Sequence, residues 1–358
     1  MNEQEKYQWM VYVSCTTYNH VPYIVDAMNG FIMQETNFPF VCGIIDDDST
    51  DGEQEVIKKY LNENFDLEDK NIARHEETED YVLTFARHKT NINCYFAVLY
   101  LKYNHYSIKK SKLPYVSQWR DNAKYIAICE GDDYWIDAQK LQMQVDFMDN
   151  NPGIGLCYTR TKYLYNNNRM VEETIMDSCD TMSLLKKNPI RTLTVMHKAD
   201  LQRNYFAFSQ KNNLPTYDYP MFLWYSFFSK IGYISDITGV YRIVEESASH
   251  SKDATKVISF YELCMSVREF WIDKLAVNPL PFRYKHDVQC YKFAIANFDI
   301  KHIKYYREKL SKFSQLNVTK RPYTEFVRKY RLDILVSFVY HYTKPLFAIY
   351  VRKHANNW

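Results

Sequence analysis

Glycine is scarce in this chain of 358 residues, with 8 in all, and no Cys-x-x-Cys pair occurs. Neither Gly-x-Gly-x-x-Gly nor Gly-x-x-x-x-Gly-Lys-Ser/Thr is present. Both motifs rely on glycine to bring backbone close to phosphate, so dinucleotide-binding and P-loop chemistry are not expected. The eight cysteines are scattered from Cys15 to Cys290, several inside apolar runs such as residues 125–129. That pattern predicts buried thiols in a reducing compartment rather than a disulfide framework. Long hydrophobic runs are also missing: the most apolar late stretch, residues 332–351, is broken by Asp333, His341, Lys344 and Pro345. The first residues lack the basic and then apolar pattern of a secretory leader, so a cytoplasmic protein is expected. No internal repeat or low-complexity stretch is found.

What is present suits a large folded core, since 46% of residues are hydrophobic and 25% charged. Disordered and collagen-like classes are thereby excluded. The formal net charge of +2 conceals an asymmetry. Residues 281–358 hold 16 Lys+Arg against 5 Asp+Glu, a local +11, which leaves the preceding 280 residues at −9. Such a division suggests an acidic body able to hold a cation and a basic tail able to meet anionic phosphate.

Residues 10–15 read as a strand, and Ile24, Ala27, Met28, Phe31 and Ile32 then recur at helical spacing behind Pro22. Residues 41–45 form a second apolar run that ends in Asp46-Asp47-Asp48-Ser49-Thr50-Asp51-Gly52, followed by a helix marked by Val56, Ile57, Tyr60 and Leu61. Residues 126–129 give a further buried strand ending at Glu130-Gly131-Asp132-Asp133, with a helix marked by Leu141, Val145 and Met148 behind it. Alternating strands and helices predict an α/β fold with a doubly wound, mostly parallel sheet, in which ligands gather beyond the carboxyl ends of strands. From about residue 251 onward only helical periods remain.

Two adjacent carboxylates directly after an apolar strand repel one another unless a cation or base offsets them. Asp132 and Asp133 therefore suit Mg²⁺ or Mn²⁺, and equally a solvated acidic turn. The Asp46 loop fits helix capping through Asp51 or Ser49, while Asp46 itself, first past the strand, can accept a hydrogen bond from a base N–H.

In combination, residues 14–19 (Ser-Cys-Thr-Thr-Tyr-Asn), 44–51 (Ile-Ile-Asp-Asp-Asp-Ser-Thr-Asp) and 128–135 (Ile-Cys-Glu-Gly-Asp-Asp-Tyr-Trp), followed by Lys140-Leu141 and Gln144, resemble the nucleotide-sugar half of glycosyltransferase family 2. Tyr217-Asp218-Tyr219-Pro220 and Val240-Tyr241-Arg242 resemble its acceptor half. The resemblance implies a GT-A, Rossmann-like fold over residues 1–250, with a nucleotide-binding half (1–135), an acceptor half (136–250) and a basic, helical C-terminal region (251–358). It implies that Thr16, Tyr18 and Asn19 surround the base and ribose and that Asp46 accepts the uracil N–H. Asp132 is then expected near the ribose and the metal, Asp133 as a ligand of Mn²⁺ or Mg²⁺, and Asp218 as the general base. Asp218 also suits a helix N-cap. Arg242 could reach the donor's diphosphate, or pair with Glu245 or Glu246.

Three departures stand out. Glu130 replaces the usual Asp, Asp48 stands where Gly is common, and Val244 occupies the place of a metal-binding His, for which His250 or Glu245 could substitute. The motif at residues 104–107 (Asn-His-Tyr-Ser) has no assigned chemistry, and Tyr134-Trp135 is expected to pack under the metal loop. The implied reaction is inverting, metal-dependent transfer of a sugar, UDP-linked, to a hydroxyl of a bacterial surface glycan or lipid-linked acceptor. The same paired aspartates would serve a nucleotidyltransferase or phosphohydrolase, although the early Gly/Lys-rich phosphate loop of such enzymes is missing. A nucleic-acid-binding reading rests only on the basic tail and is opposed by the acidic body, so no nucleic-acid partner is expected. In the tail, Tyr323, Phe326, Tyr330 and Ile334 predict a packed helix. Arg328, Lys329, Arg331, Lys344, Arg352 and Lys353 are candidates to face anionic lipid at the inner membrane surface.

Overall fold

The computed structural model describes residues 6–165, 168–173, 179–243 and 253–313. The chain divides into two compact units, Met1–Ile243 and Val244–Trp358. In the first, strand β1 (Trp9–Thr17) leads through α1 (Ile24–Ile32) to β2 (Phe40–Asp46), α2 (Glu53–Asn64), β3 (Phe65–Asp66), β4 (Arg74–Glu77), β5 (Tyr81–His88), β6 (Cys94–Leu101), α3 (Leu113–Arg120) and β7 (Ala123–Ile128). Then follow β8 (Tyr134–Trp135), α4 (Lys140–Asn150), β9 (Ile154–Leu164), β10 (Met170–Glu172), α5 (Thr181–Lys186), a 3-10 turn (Thr192–Thr194), β11 (Val195–Lys198), α6 (Ala199–Lys211), α7 (Asp218–Phe228) and β12 (Lys230–Arg242).

One sheet of 12 strands runs β3-β5-β6-β2-β1-β7-β11-β9-β12-β8, with β4 added on β5 and β10 on β9. Its centre, β6-β2-β1-β7, is parallel. Antiparallel joins begin at β5 on one side and β11 on the other. The expected α/β class with helices on both sheet faces is what is found. Every residue of β2 is buried, the mark of a strand covered on both faces. Alternate residues supply the two covers. Val13, Cys15, Cys42 and Ile44 share one core cluster with α1, α2 and α4, and Tyr12, Val41 and Ile45 share another with Val116 and Trp119 of α3.

This topology matters because β1 lies between β2 and β7, so the chain order reverses there. Thr17 is the register partner of Asp46, and Ser14 that of Ile128. The three loops that leave these strand ends therefore emerge side by side. A long-range pairing completes the edge: β8 pairs antiparallel with β12, Tyr134 against Val240 and Trp135 against Gly239. Gly30 in α1 lets that strand pair seat, because a Cβ there would lie 2.9 Å from the backbone N and O of Trp135. Trp135 is buried against Phe31 with ring centroids 5.0 Å apart, and its Nε1 donates to the Leu193 carbonyl. It packs beneath the acidic loop, as expected.

His197 in β11 is wholly buried, with Nδ1 2.9 Å from the Tyr225 hydroxyl. Burial pushes its imidazole down to about 4. The folded chain thus keeps it neutral, whereas the unfolded chain takes up a proton below about pH 6.5. Stability is lost as the pH falls from 6.5 towards 4, amounting to about 2 kcal/mol at pH 5. His197→Gln is expected to narrow its stability gap to the parent by that amount between pH 7.5 and pH 5, read from urea unfolding. A constant gap would contradict the assignment.

All eight cysteines are free thiols and seven are buried, Cys179 being half-buried. The second unit contributes α8 (Ala254–Lys274), α9 (Leu280–Ala296) and α10 (Ile300–Lys312), packed through Ile258, Tyr284, Val288, Tyr291, Ile303, Tyr306 and Leu310. No helix among the described residues is long and apolar enough to cross a membrane. The helix expected around Tyr323–Ile334 and the basic residues Arg328 to Lys353 lie outside the described residues, as do Val244, Glu245, Glu246 and His250.

Candidate active site

The three strand-end loops are sewn together by backbone and by one buried acid. Beyond β1, the Thr17 carbonyl accepts Asp47 N–H and the Thr16 carbonyl accepts Gly131 N–H, at 3.0 and 3.1 Å. Glu53, buried at the start of α2, accepts from the Thr17 hydroxyl, from His20 N–H at 2.9 Å and from the Ser49 hydroxyl at 2.9 Å. Burial raises its pKa despite these donors. Asn19 joins the same seam: its N–H donates to the Ser49 hydroxyl and its side-chain oxygen accepts Thr50 N–H. Asn19 and Asp48 both have left-handed backbone, with φ of 57° and 64°. Asx residues tolerate that region best after glycine, which accounts for Asp48 where Gly is common. The α2 cap also differs from expectation, since Gly52 holds the cap position while Asp51 accepts Glu53 N–H at 3.1 Å. Ser49 serves the inter-loop seam, and Asp51 serves both, its Oδ2 accepting Val21 N–H at 3.0 Å.

Gly131 is where the first and third loops touch. A Cβ there would lie 2.6 Å from Thr17 Cβ and 3.2 Å from His20 Nδ1. Gly131→Ala is therefore expected to cost about 1–3 kcal/mol in urea unfolding and to loosen the loop cluster. A variant as stable as the parent would show that the two loops are not in close contact.

Asp46 ends β2 with its carboxylate buried. Oδ1 accepts Ser49 N–H at 3.1 Å and the Gln54 side-chain amide at 2.7 Å, whereas Oδ2 is buried with no hydrogen-bond partner. A buried carboxylate oxygen left without a donor is costly, and an incoming N–H would relieve the cost. The neighbouring Asp47 is fully used. It accepts from the backbone of His105 and Tyr106 and pairs with Lys112 at 2.6 Å, while Asn104 donates to its carbonyl. The 104–107 motif thus latches the second loop, a role that no local sequence signal disclosed. Thr16 is half-buried beside this seam, and Tyr18 is 44% exposed at its rim.

The third loop concentrates negative charge. Asp133 is buried, and Oδ1 accepts Arg242 N–H at 2.8 Å, a contact imposed by the β8–β12 register. Burial, then the charges of Asp132 and Glu130, push Asp133 well above the usual carboxylate range. Glu130 is pushed up to about 8, chiefly by burial, then by Asp132, with a further contribution from Asp218. Arg242 donates to the Asp132 carbonyl at 2.8 Å, pairs with Asp26 of α1, and covers the Tyr134 ring at 4.3 Å. The expected pairing with Glu245 or Glu246 involves residues outside the described set, and the Asp26 pair was not anticipated.

Asp218 is the first residue of α7, with Tyr217 in the cap position and no side-chain cap bond from it. Asp218 Oδ1 accepts Tyr219 N–H at 2.7 Å, and Oδ2 lies 3.4 Å from the Thr192 hydroxyl that donates to it. Burial raises its pKa, the Tyr219 and Thr192 hydrogen bonds opposing.

Among the described residues no group of three or more His, Cys, Asp or Glu is placed to hold a metal alone. Mg²⁺ and Mn²⁺ are commonly held by one or two carboxylates with the remaining positions filled by water and phosphate oxygens. The hard carboxylate oxygens of Asp132 and Asp133, side by side in the loop after β7, fit that arrangement. The strand-end loops thus hold a buried acceptor without a donor at Asp46 Oδ2 and closely spaced acids that burial makes hard to ionise at Glu130 and Asp133, and the start of α7 holds Asp218, whose pKa burial raises.

No family model matches the chain. The uncharacterised proteins Mb1547 of Mycobacterium bovis and Rv1520 of Mycobacterium tuberculosis are each 29% identical to it over 186 residues, 51% of this chain and 45% of theirs. The chain spans just under half the length of the curated relatives it matches. Among solved structures, residues 1–349 of TarS from S. aureus in complex with UDP superpose with a TM-score of 0.48 at 15% identity, covering 94% of this chain and 91% of that one. The mannosyltransferase PcManGT from Pyrobaculum calidifontis in complex with GDP-Man and Mn²⁺ gives 0.45 at 11%, covering 94% and 87%.

Proposed function

We propose that the chain is an inverting, metal-dependent glycosyltransferase of the GT-A type that moves a sugar from a UDP-linked donor to a hydroxyl of a surface-glycan or lipid-linked acceptor. The observation that carries the reading is the orphaned Asp46 Oδ2 at the end of β2, on the same sheet edge as the loop of Glu130, Asp132 and Asp133 that leaves β7. Uracil offers one N–H for Asp46, with Thr16, Tyr18 and Asn19 around base and ribose. Asp132 and Asp133 would hold Mn²⁺ or Mg²⁺, a Lewis acid able to neutralise a departing diphosphate. Asp218 would take the acceptor proton, its raised pKa increasing its basicity. Arg242, committed to Asp26 and to the Asp132 carbonyl, braces the acidic loop and stands within the donor site.

A thermal-shift panel of nucleotides and nucleotide sugars, with and without Mn²⁺, tests the reading. Selective stabilisation by UDP and one UDP-sugar, enhanced by Mn²⁺, is expected, and at ligand near 100 Kd it amounts to about 2.7 kcal/mol. Indifference to every nucleotide would sink the proposal. The +11 charge of residues 281–358 supports peripheral attachment to an anionic cytoplasmic membrane face, near a lipid-linked acceptor. Co-sedimentation with anionic liposomes checks this, and no binding at low salt would count against it.

A further inference from the structure

One cation beside Asp218 has no use in the mechanism above. Arg191 precedes the 3-10 turn, and its Nε donates to the Tyr163 hydroxyl at 2.9 Å. The guanidinium lies 5.5 and 5.9 Å from the ring centroids of Tyr163 and Tyr241. These two residues are register partners on β9 and β12 and meet edge to face. The Tyr163 hydroxyl in turn donates to Glu173 at 2.9 Å. The group is thus oriented on three sides by rigid neighbours, yet among the described residues Arg191 forms no ion pair, and its two terminal nitrogens make no hydrogen bond and are not buried. Other arginines of this unit do find carboxylates: Arg242 pairs with Asp26, Arg87 with Asp69, Arg120 with Asp121 and Arg203 with Asp200. The next residue, Thr192, is the one that donates to Asp218, and the Arg191 charge acts on Asp218 itself.

We propose that Arg191 binds an oxyanion, a phosphate or carboxylate, carried by the acceptor next to the hydroxyl that Asp218 activates. This rests on the transferase reading and narrows its acceptor to an anionic class. A planar guanidinium with two open donors suits bidentate recognition of such a group. Its fixing over two tyrosine rings lowers the ordering cost of binding. The donor's diphosphate already has the Asp132–Asp133 end of the site, whereas Arg191 sits at the Asp218 end.

The experiment titrates the full chain, with and without saturating UDP and Mn²⁺, with glycerol 3-phosphate and methyl glucuronide, using glycerol and methyl glucoside as neutral controls. The parent is expected to bind at least one anionic probe more tightly than its neutral control. Arg191→Gln should lose about tenfold in that affinity, as for one lost charge-assisted contact, while holding UDP within about twofold of the parent. Arg191→Lys, which keeps the charge, should fall between them. Equal affinity of the parent and Arg191→Gln for the anionic probes would overturn the proposal, as would a parent that does not prefer anion to neutral control. A loss confined to UDP affinity would also overturn it, by assigning Arg191 to the donor. Absence of nucleotide binding by the parent would instead overturn the transferase reading, with the nucleotide-free titrations still reading Arg191 separately.

Discussion

Asp218→Asn is expected to lower sugar transfer by about 10²–10⁴-fold while UDP binding stays near that of the parent. The expectation follows from what Asn preserves. Its side-chain oxygen can still accept from Tyr219 N–H, and its amide N–H can donate to a Thr192 hydroxyl that has turned round, so both positions bonded by Asp218 at the start of α7 keep a hydrogen bond. What is lost is a carboxylate whose pKa burial has raised, and so the capacity to take a proton from an acceptor. The helix loses only the favourable interaction of a charge with its N-terminus, about 0.3–1 kcal/mol. Purely structural service would give the reverse pattern, a destabilised protein that still turns over. The pH profile is a second check. A base must be deprotonated to act, so transfer by the parent should fall as the pH drops through the raised pKa of Asp218. Near-normal turnover by Asp218→Asn, measured as UDP release dependent on acceptor, would remove this residue from the mechanism.

The parts of this site that were legible in the sequence are those written in local order. Each parallel central strand other than β6 was marked by an apolar run stopping at polar residues, and because parallel strands end their runs at the same sheet edge, Thr16, Asp46 and Asp133 could be brought together without coordinates. The helices behind them showed their apolar faces at 3.6-residue spacing. Contacts that depend on pairing between distant segments were not legible. Arg242 reaches Asp133 across 109 positions because β8 lies beside β12, and neither strand's composition names its partner. The same holds for Asp47, which reads as one of three similar aspartates until the His105 and Tyr106 amides are seen to close on it. Glu53 carries no local signal and is the buried junction of two loops. Arg191 had no motif at all, because its distinction, a guanidinium without an ion pair among the described residues, depends on contacts between distant segments.

Asp133→Asn should separate function from stability in opposite directions. Metal-free, the parent must hold Asp133, Asp132 and Glu130 close together, with Asp133 buried and resisting ionisation and Glu130 titrating only at about 8. At pH 8 the unfolded chain would release these protons freely, so the fold is penalised for keeping them or for burying the charges. An acid whose folded pKa is raised costs stability as the pH climbs above its free value, here from 3.8 upward for Asp133 and from 4.5 upward for Glu130. An amide at position 133 keeps an acceptor for Arg242 N–H and removes one member of the crowded set. The metal-free variant is therefore expected to be as stable as the parent or more so at pH 8, by about 1–3 kcal/mol. Transfer should fall by about 10²–10³-fold, as when one electrostatic contact to developing charge is removed, and the stabilisation by UDP should no longer respond to Mn²⁺. Proton release on Mn²⁺ addition, measured in two buffers of different ionisation enthalpy, should shrink with it, since ligands must give up protons to bind a cation. A variant that keeps the Mn²⁺ response would show that Asp133 is not a metal ligand. One that loses stability at pH 8 would show that its main task is to hold Arg242, and the acidic cluster would then owe its composition to the β8–β12 pairing rather than to a cation.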